Sequence, residues 1–233
     1  MRNAVTAFCF ATALGALALL APPAGAVDVV VPNINENTPG PSNQAFPYNQ
    51  GVMRVQQVLD ASQLGGLTGA VTRIAFRVDE EFGTPFNTNG IDTEVRLSHT
   101  NVEPTAMSLT FADNYGPDVT LVYDGLLSLS SDGSGNFDIV IDIGDAFIYN
   151  GTQNLLVEYK VFNSAFTTQF DAAGTGYGEG GTPWIDRVWA FDPNAVSGSS
   201  EGDDGYVTQL TIEGTNATDV LSWGRMKAVY FED

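Results

Sequence analysis

Two stretches near the middle of the chain alternate apolar and polar residues with a two-residue period, and that period decides the fold class. In Phe137-Asp138-Ile139-Val140-Ile141-Asp142-Ile143, Phe137, Ile139, Ile141 and Ile143 share one face, while Asp138 and Asp142 share the other. Asn154 to Phe162 repeats the pattern, with Leu155, Val157, Tyr159 and Val161 inward and Glu158 and Lys160 outward. Successive side chains of a strand point to opposite faces, so a sheet with one buried face is the natural home for such sequences. Between them, Asp145 to Gln153 carries the turn signal Tyr149-Asn150-Gly151. No long stretch keeps the helical period.

Shorter bursts of β-branched and aromatic residues, separated by Gly, Asn, Asp and Ser clusters, extend the pattern. They predict strands at Asp28 to Val31, Met53 to Leu59, Val71 to Val78, Thr93 to His99, Val119 to Tyr123 and Phe166 to Phe170. Arg187 to Phe191, Gly205 to Ile212 and Arg225 to Phe231 complete the set. About a dozen short strands imply an all-β fold, a two-sheet β-sandwich of jelly-roll type. At most one short helix is expected, over Ala106 to Asn114, where Met107, Leu109 and Phe111 do not alternate cleanly with their flanks. The Gly-rich stretches 174–183 and 196–205 read as long surface loops, where a sandwich usually carries function.

The first 26 residues read as a cleaved signal peptide. Arg2 supplies the positive start, Ala4 to Leu20 the apolar run, Pro22-Pro23 its end and Ala24-Gly25-Ala26 the small residues of a cleavage site. The expected product, residues 27–233, is one secreted or periplasmic domain with an extended N-terminal arm at 32–50. Its length allows about 70% of the unfolded surface to be buried without staples. That matters, because the only cysteine, Cys9, lies in the leader, so no disulfide is available. Ala7-Phe8 before Cys9 does not resemble a lipoprotein box, so no lipid anchor is expected. Losing Arg2 leaves 28 acids against 8 bases, a net charge of −20. A field of that sign repels phosphates, so nucleic acid and anionic membranes are not expected partners.

Catalytic sets are hard to assemble from this inventory. His99 is the only histidine, which excludes a multi-histidine zinc site, and no G-x-S-x-G elbow occurs. His99 shares the inward face of its strand with Val95 and Leu97, which reads as a structural histidine. Among the acids, Asp138, Asp142 and Glu158 are the most firmly placed on strands, where alternation puts them on a solvated face. Asp132, Ser134, Asn136 and Asp138 put oxygen side chains at alternate positions, as calcium loops do, so a structural Ca²⁺ is the cofactor this loop would take. The sixth position is Phe137 where an EF-hand loop has Gly, and the bland alternative is a polar hairpin. Asp203-Asp204 form a weaker acidic pair. For ligand binding the candidates are Tyr177, Trp184 and Trp189, in or beside the first Gly-rich loop, where an exposed ring can stack on a sugar. Trp223 is a lesser one.

A series of phrases carries a family resemblance. Arg54-Val55-Gln56-Gln57-Val58-Leu59-Asp60-Ala61-Ser62 is followed by Ile74-Ala75-Phe76-Arg77 and Leu97-Ser98-His99-Thr100. Then come Leu109-Thr110-Phe111-Ala112-Asp113-Asn114-Tyr115-Gly116, Val122-Tyr123-Asp124-Gly125, Phe137 to Ile141 and Phe147 to Val157. In this order they resemble an uncharacterised family of exported bacterial β-sandwich proteins, many of which end in a PEP-CTERM sorting tail. The resemblance implies fold and export, and no activity. The chain ends in Tyr230-Phe231-Glu232-Asp233, without the Pro-Glu-Pro signature of that tail. The leading expectation is a secreted, non-enzymatic protein of the matrix or cell envelope that recognises polysaccharide. The alternatives are a secreted carboxylate-dependent glycan hydrolase and a structural surface subunit that assembles through sheet edges or its arm.

Overall fold

A computed structural model describes residues 25–163, 166–174, 183–200 and 204–214. The described residues contain eleven strands. These are β1 (Ala26–Val31), β2 (Ser42–Gln44), β3 (Met53–Leu59), β4 (Gly69–Phe76), β5 (Phe86–Thr100), β6 (Thr120–Ser131), β7 (Ile139–Tyr149), β8 (Asn154–Val161), β9 (Phe170–Ala172), β10 (Ile185–Ala190) and β11 (Thr208–Gly214). One sheet has the order β1-β11-β4-β7, the second β10-β3-β8-β5-β6, and β2 pairs with β9 alone. All pairings are antiparallel. The chain is an all-β sandwich.

The winding follows from where each strand goes next. From β3 to β4 to β5, and again from β6 to β7 to β8, the chain crosses from one sheet to the other, while β5 and β6 stay together as a hairpin. Both sheets therefore turn an apolar face inward. On β8, Leu155, Val157, Tyr159 and Val161 are fully buried, as alternation predicts, opposite Leu59, Gln57, Val55 and Met53 of β3. Ile74 and Phe76 of β4 and Ile139 and Ile141 of β7 face them from the other sheet, all fully buried. Each such side chain contributes about 1.5–3 kcal/mol. The Phe76 ring lies 5.4 Å from Phe170, and 5.8 Å from both Tyr159 and Tyr206. Gln57 brings an amide into the core: it accepts from the Tyr206 N–H at 2.7 Å and donates to Thr208 Oγ1 at 2.9 Å, tying β3 to the chain at β11.

Several expectations change. The single helix over Ala106 to Asn114 is replaced by two 3₁₀ turns, Pro104–Ala106 and Phe111–Asn114, and further 3₁₀ turns occur at Asn33–Asn35 and Ala61–Leu64. Phe111 and Asn114 are fully buried, so this segment is held by what it covers rather than by helical period. Glu158 does lie on the outward face, yet it is 1% exposed, because 104–116 folds over that face. The arm at 32–50 is docked: Ser42–Gln44 pairs with β9, and Tyr48 is fully buried. The predicted strand Arg225 to Phe231 lies outside the described residues, as do Tyr177, Asp203, Trp223 and the leader through residue 24. No helix among the described residues is long and apolar enough to cross a membrane.

Candidate functional site

The sequence candidates fall at separate places. Among the described residues β10 is an edge strand, paired to β3 on one side and met on the other by one bridge between Trp189 and Ser199. Register places Trp189 opposite Val55, on the face turned toward the core. Its ring lies 5.0 Å from Phe46 of the arm and 5.0 Å from Phe191, with Phe46 and Phe191 5.7 Å apart. These tilted and edge-on geometries are the favoured ones for aromatic pairs. Phe191 is 56% exposed, so the cluster presents one ring to solvent with two rings and the Arg187 guanidinium, 5.4 Å from Phe46, behind it. Trp184 is half-buried just before β10, and its carbonyl accepts from the Asp60 N–H at 2.9 Å. Five residues of extended chain separate the two tryptophans by about 16 Å. They do not form one platform. Phe191 was legible in the sequence, since i and i+2 of a strand share a face, whereas Phe46 reaches the cluster only through the docked arm.

The stretch from Asp132 to Asp138 is the turn between β6 and β7. Asp132 Oδ1 accepts from the Ser134 N–H at 2.8 Å, and the Asn136 amide donates to Ser134 Oγ at 2.8 Å. Asp138 Oδ2 accepts from Ser131 Oγ at 3.0 Å and from the Asp132 N–H at 2.9 Å. Hydrogen bonds from Ser134 hold the Asp132 carboxyl below its usual range. The four candidate metal ligands thus serve the turn itself. Among the described residues no group of three or more His, Cys, Asp or Glu side chains could hold a metal ion.

That turn forms one wall of a cleft of about 360 Å³. Gly133 to Asn136 face Glu36, Asn37 and Pro39 of the arm, and Arg77, Val78 and Glu80 close it from the β4–β5 connection. Arg77 is 7% exposed. Its Nε donates to Asp171 Oδ2 at 2.6 Å, its Nη2 to the Thr38 carbonyl at 2.7 Å, and its Cζ lies 4.8 Å from the Phe137 ring centroid. Burial pushes the Asp171 carboxyl above its usual range, against the pull of Arg77 and of the Gly40 N–H.

Two further clusters have catalytic residue types and structural geometry. His99 Nδ1 lies 2.5 Å from Asp118 Oδ2, and its Nε2 accepts from the Asn150 N–H at 3.0 Å. An Asp–His pair resembles part of a hydrolytic triad, but a backbone N–H occupies the ring nitrogen that would take a nucleophile's proton. The pair instead joins the end of β5 to the β7–β8 turn, with Phe147 and Tyr149 against the imidazole. On the outer face of the larger sheet, Glu158 Oε1 sits 2.7 Å from Arg54, and Oε2 sits 3.5 Å from Arg96 Nη1, which also holds Glu94. Arg54 packs 4.4 Å over the Phe111 ring and donates to the Ala195 carbonyl and to Tyr115 Oη. Burial, then Glu158, pushes the Tyr115 hydroxyl up to about 12. Arg96 bridges Glu94 and Glu158, so the two carboxylates share one guanidinium between them. Asp142, by contrast, is 80% exposed, and its partner Arg73 is also exposed.

No family model, curated protein or solved structure matches the chain.

Proposed function

We propose that this chain is an exported, jelly-roll-wound, non-enzymatic β-sandwich that recognises polysaccharide in the extracellular matrix or cell envelope. The observation that carries the reading is the aromatic cluster at the β10 edge, where Phe191 stands open to solvent on a base of Trp189 and Phe46. A sugar ring offers a flat patch of C–H bonds to such a ring, and water leaves both surfaces on contact. Supporting the winding are the crossings between sheets and the lone β5–β6 hairpin, the pattern of two linked Greek keys. The leader supports export. The commitment of both His99 nitrogens and of Glu158 supports a binding role over hydrolysis.

The test is depletion of the exported protein from solution by insoluble cellulose, chitin, xylan and mixed-linkage glucan. Retention on at least one polymer, reduced about tenfold by Phe191→Ala with an unchanged melting temperature, is the expected result; the exposed ring then supplies on the order of 1 kcal/mol. Retention on none of the four, or retention untouched by Phe191→Ala, would refute it. N-terminal sequencing of the exported product is expected to begin at Val27.

A further inference from the structure

We infer that the cleft between the arm and the β6–β7 turn is a second ligand site, and that it takes a neutral sugar residue. It rests on chemistry independent of the aromatic cluster, although it presumes the same broad glycan-binding role. Three segments far apart in sequence, 36–39, 77–80 and 133–136, converge on it. Its volume of about 360 Å³ lies at the lower end of the range for small-molecule sites, about 300–1,000 Å³.

The floor is preorganised. Arg77 is more than nine-tenths buried, and Asp171, the Thr38 carbonyl and the Phe137 face fix its plane. Two of its three nitrogens are spent on those partners; among the described residues Nη1 has no hydrogen-bond partner, and Arg77 lines the cleft. The rim adds the carboxylates of Glu36 and Glu80, the amides of Asn37 and Asn136, and the Ser134 hydroxyl, all exposed.

Charge selects among ligands. Asp171 matches the single cation, so Glu36 and Glu80 leave the cleft net negative, which disfavours a phosphate, sulfate or uronic acid. A bare divalent cation at the floor would meet the N–H face of a guanidinium, which has donors and no acceptor. A ligand that both donates and accepts through several hydroxyls fits each group: it accepts from Arg77 Nη1 and the amides, and donates to the two carboxylates.

The experiment is amide and side-chain ¹⁵N NMR of the exported protein titrated with glucose, galactose, mannose, xylose and their disaccharides, with glucuronate and CaCl₂ as separate arms. Saturable shifts at Arg77 Nε and at the Asn37 and Asn136 side-chain amides are expected for a neutral sugar, with glucuronate at least tenfold weaker. Arg77→Ala would disturb the packing of β9, so the variants are Glu80→Gln and Asn37→Ala, both at exposed positions; each should weaken the saturable shifts about tenfold at an unchanged melting temperature. The inference is overturned if no neutral sugar saturates these signals, if CaCl₂ alone produces the same shifts, or if both variants bind as the parent does. Shifts confined to residues around Phe191 would overturn the cleft while leaving the aromatic reading intact, and loss on Phe191→Ala alone would do the same.

Discussion

Replacing Glu158 by Ala tests whether the outer face of the larger sheet is a solvated surface or a second, polar core. Glu158 is 1% exposed, while Arg54 and Arg96 are 12% and 23% exposed. Removing the carboxylate strips Arg54 Nε and Nη2 of an acceptor at 2.7 Å and Gln56 of one at 3.1 Å. Arg54 then remains under the 104–116 cover, with Arg96 beside it and Lys160 nearby, whose amine desolvation already holds below its usual range. Breaking a buried pair in this way costs about 3–5 kcal/mol, because the surviving charge stays desolvated and unmatched. For a domain of this size that corresponds to a drop in melting temperature of roughly 6–20 °C. Glu158→Gln keeps the shape and the acceptor while losing the charge, and should cost about 1.5–3 kcal/mol. Urea unfolding, followed by tryptophan fluorescence in 0.1 M and 1 M NaCl, measures both. A buried pair is weakly screened, so the loss should persist at 1 M salt, where exposed charges interact over only about 3 Å. A cost for Glu158→Ala below about 1 kcal/mol, or one that vanishes in 1 M salt, would refute the buried network and restore the solvated face.

Asp118 predicts an acid limb. Partial burial raises its carboxyl, but hydrogen bonds from His99 and Ser98 outweigh that and hold it below its usual 3.8. A depressed folded value gives stability that is present above the unfolded value and lost as pH falls through the folded one. The stability curves of the parent and Asp118→Asn should therefore differ near neutral pH and converge below about pH 3.8; a constant gap down to pH 2 would show that Asp118 contributes nothing through its charge. Gly40→Ala addresses the arm. A Cβ there would lie 2.0 Å from the Ala172 carbonyl oxygen, so the arm must lift from β9, at a cost of about 1–3 kcal/mol and with faster proteolysis within 32–50. Unchanged protease resistance would mean that the arm does not depend on this contact.

The elements legible in the sequence are those whose own residues settle their state. β3 has the predicted bounds Met53–Leu59, and β8 ends one residue short of its prediction, because alternation and β-branching run their full length. β2 was missed and β9 misplaced, since three residues are too few to show a period and their pairing partner is some 130 residues away. Alternation also gave the right face for Glu158 and the wrong environment. Period states which way a side chain points; what covers it comes from 104–116, some fifty residues earlier. The same limit governs the site. Ser134 and Asn136 stood out as oxygen donors in series, but Arg77 carried no local signal, because its role depends on Asp171, Thr38 and Phe137 meeting it in space.

The arm links the two proposed binding surfaces. Its first part, Glu36 to Pro39, walls the cleft, and Phe46, a few residues on, backs Trp189 and Phe191. Between them lie the Gly40 N–H bonded to Asp171 at 2.8 Å and the β2–β9 pair, so one short anchor positions both halves. Asp171 is the hinge of this arrangement, since its other oxygen orients Arg77 on the cleft floor. An arm used for assembly would have to leave this berth, expose Tyr48, and dismantle the wall of the cleft together with the base of the aromatic cluster. On the proposed reading, recognition at the arm and assembly through a released arm would exclude one another, and the structure shows the arm docked.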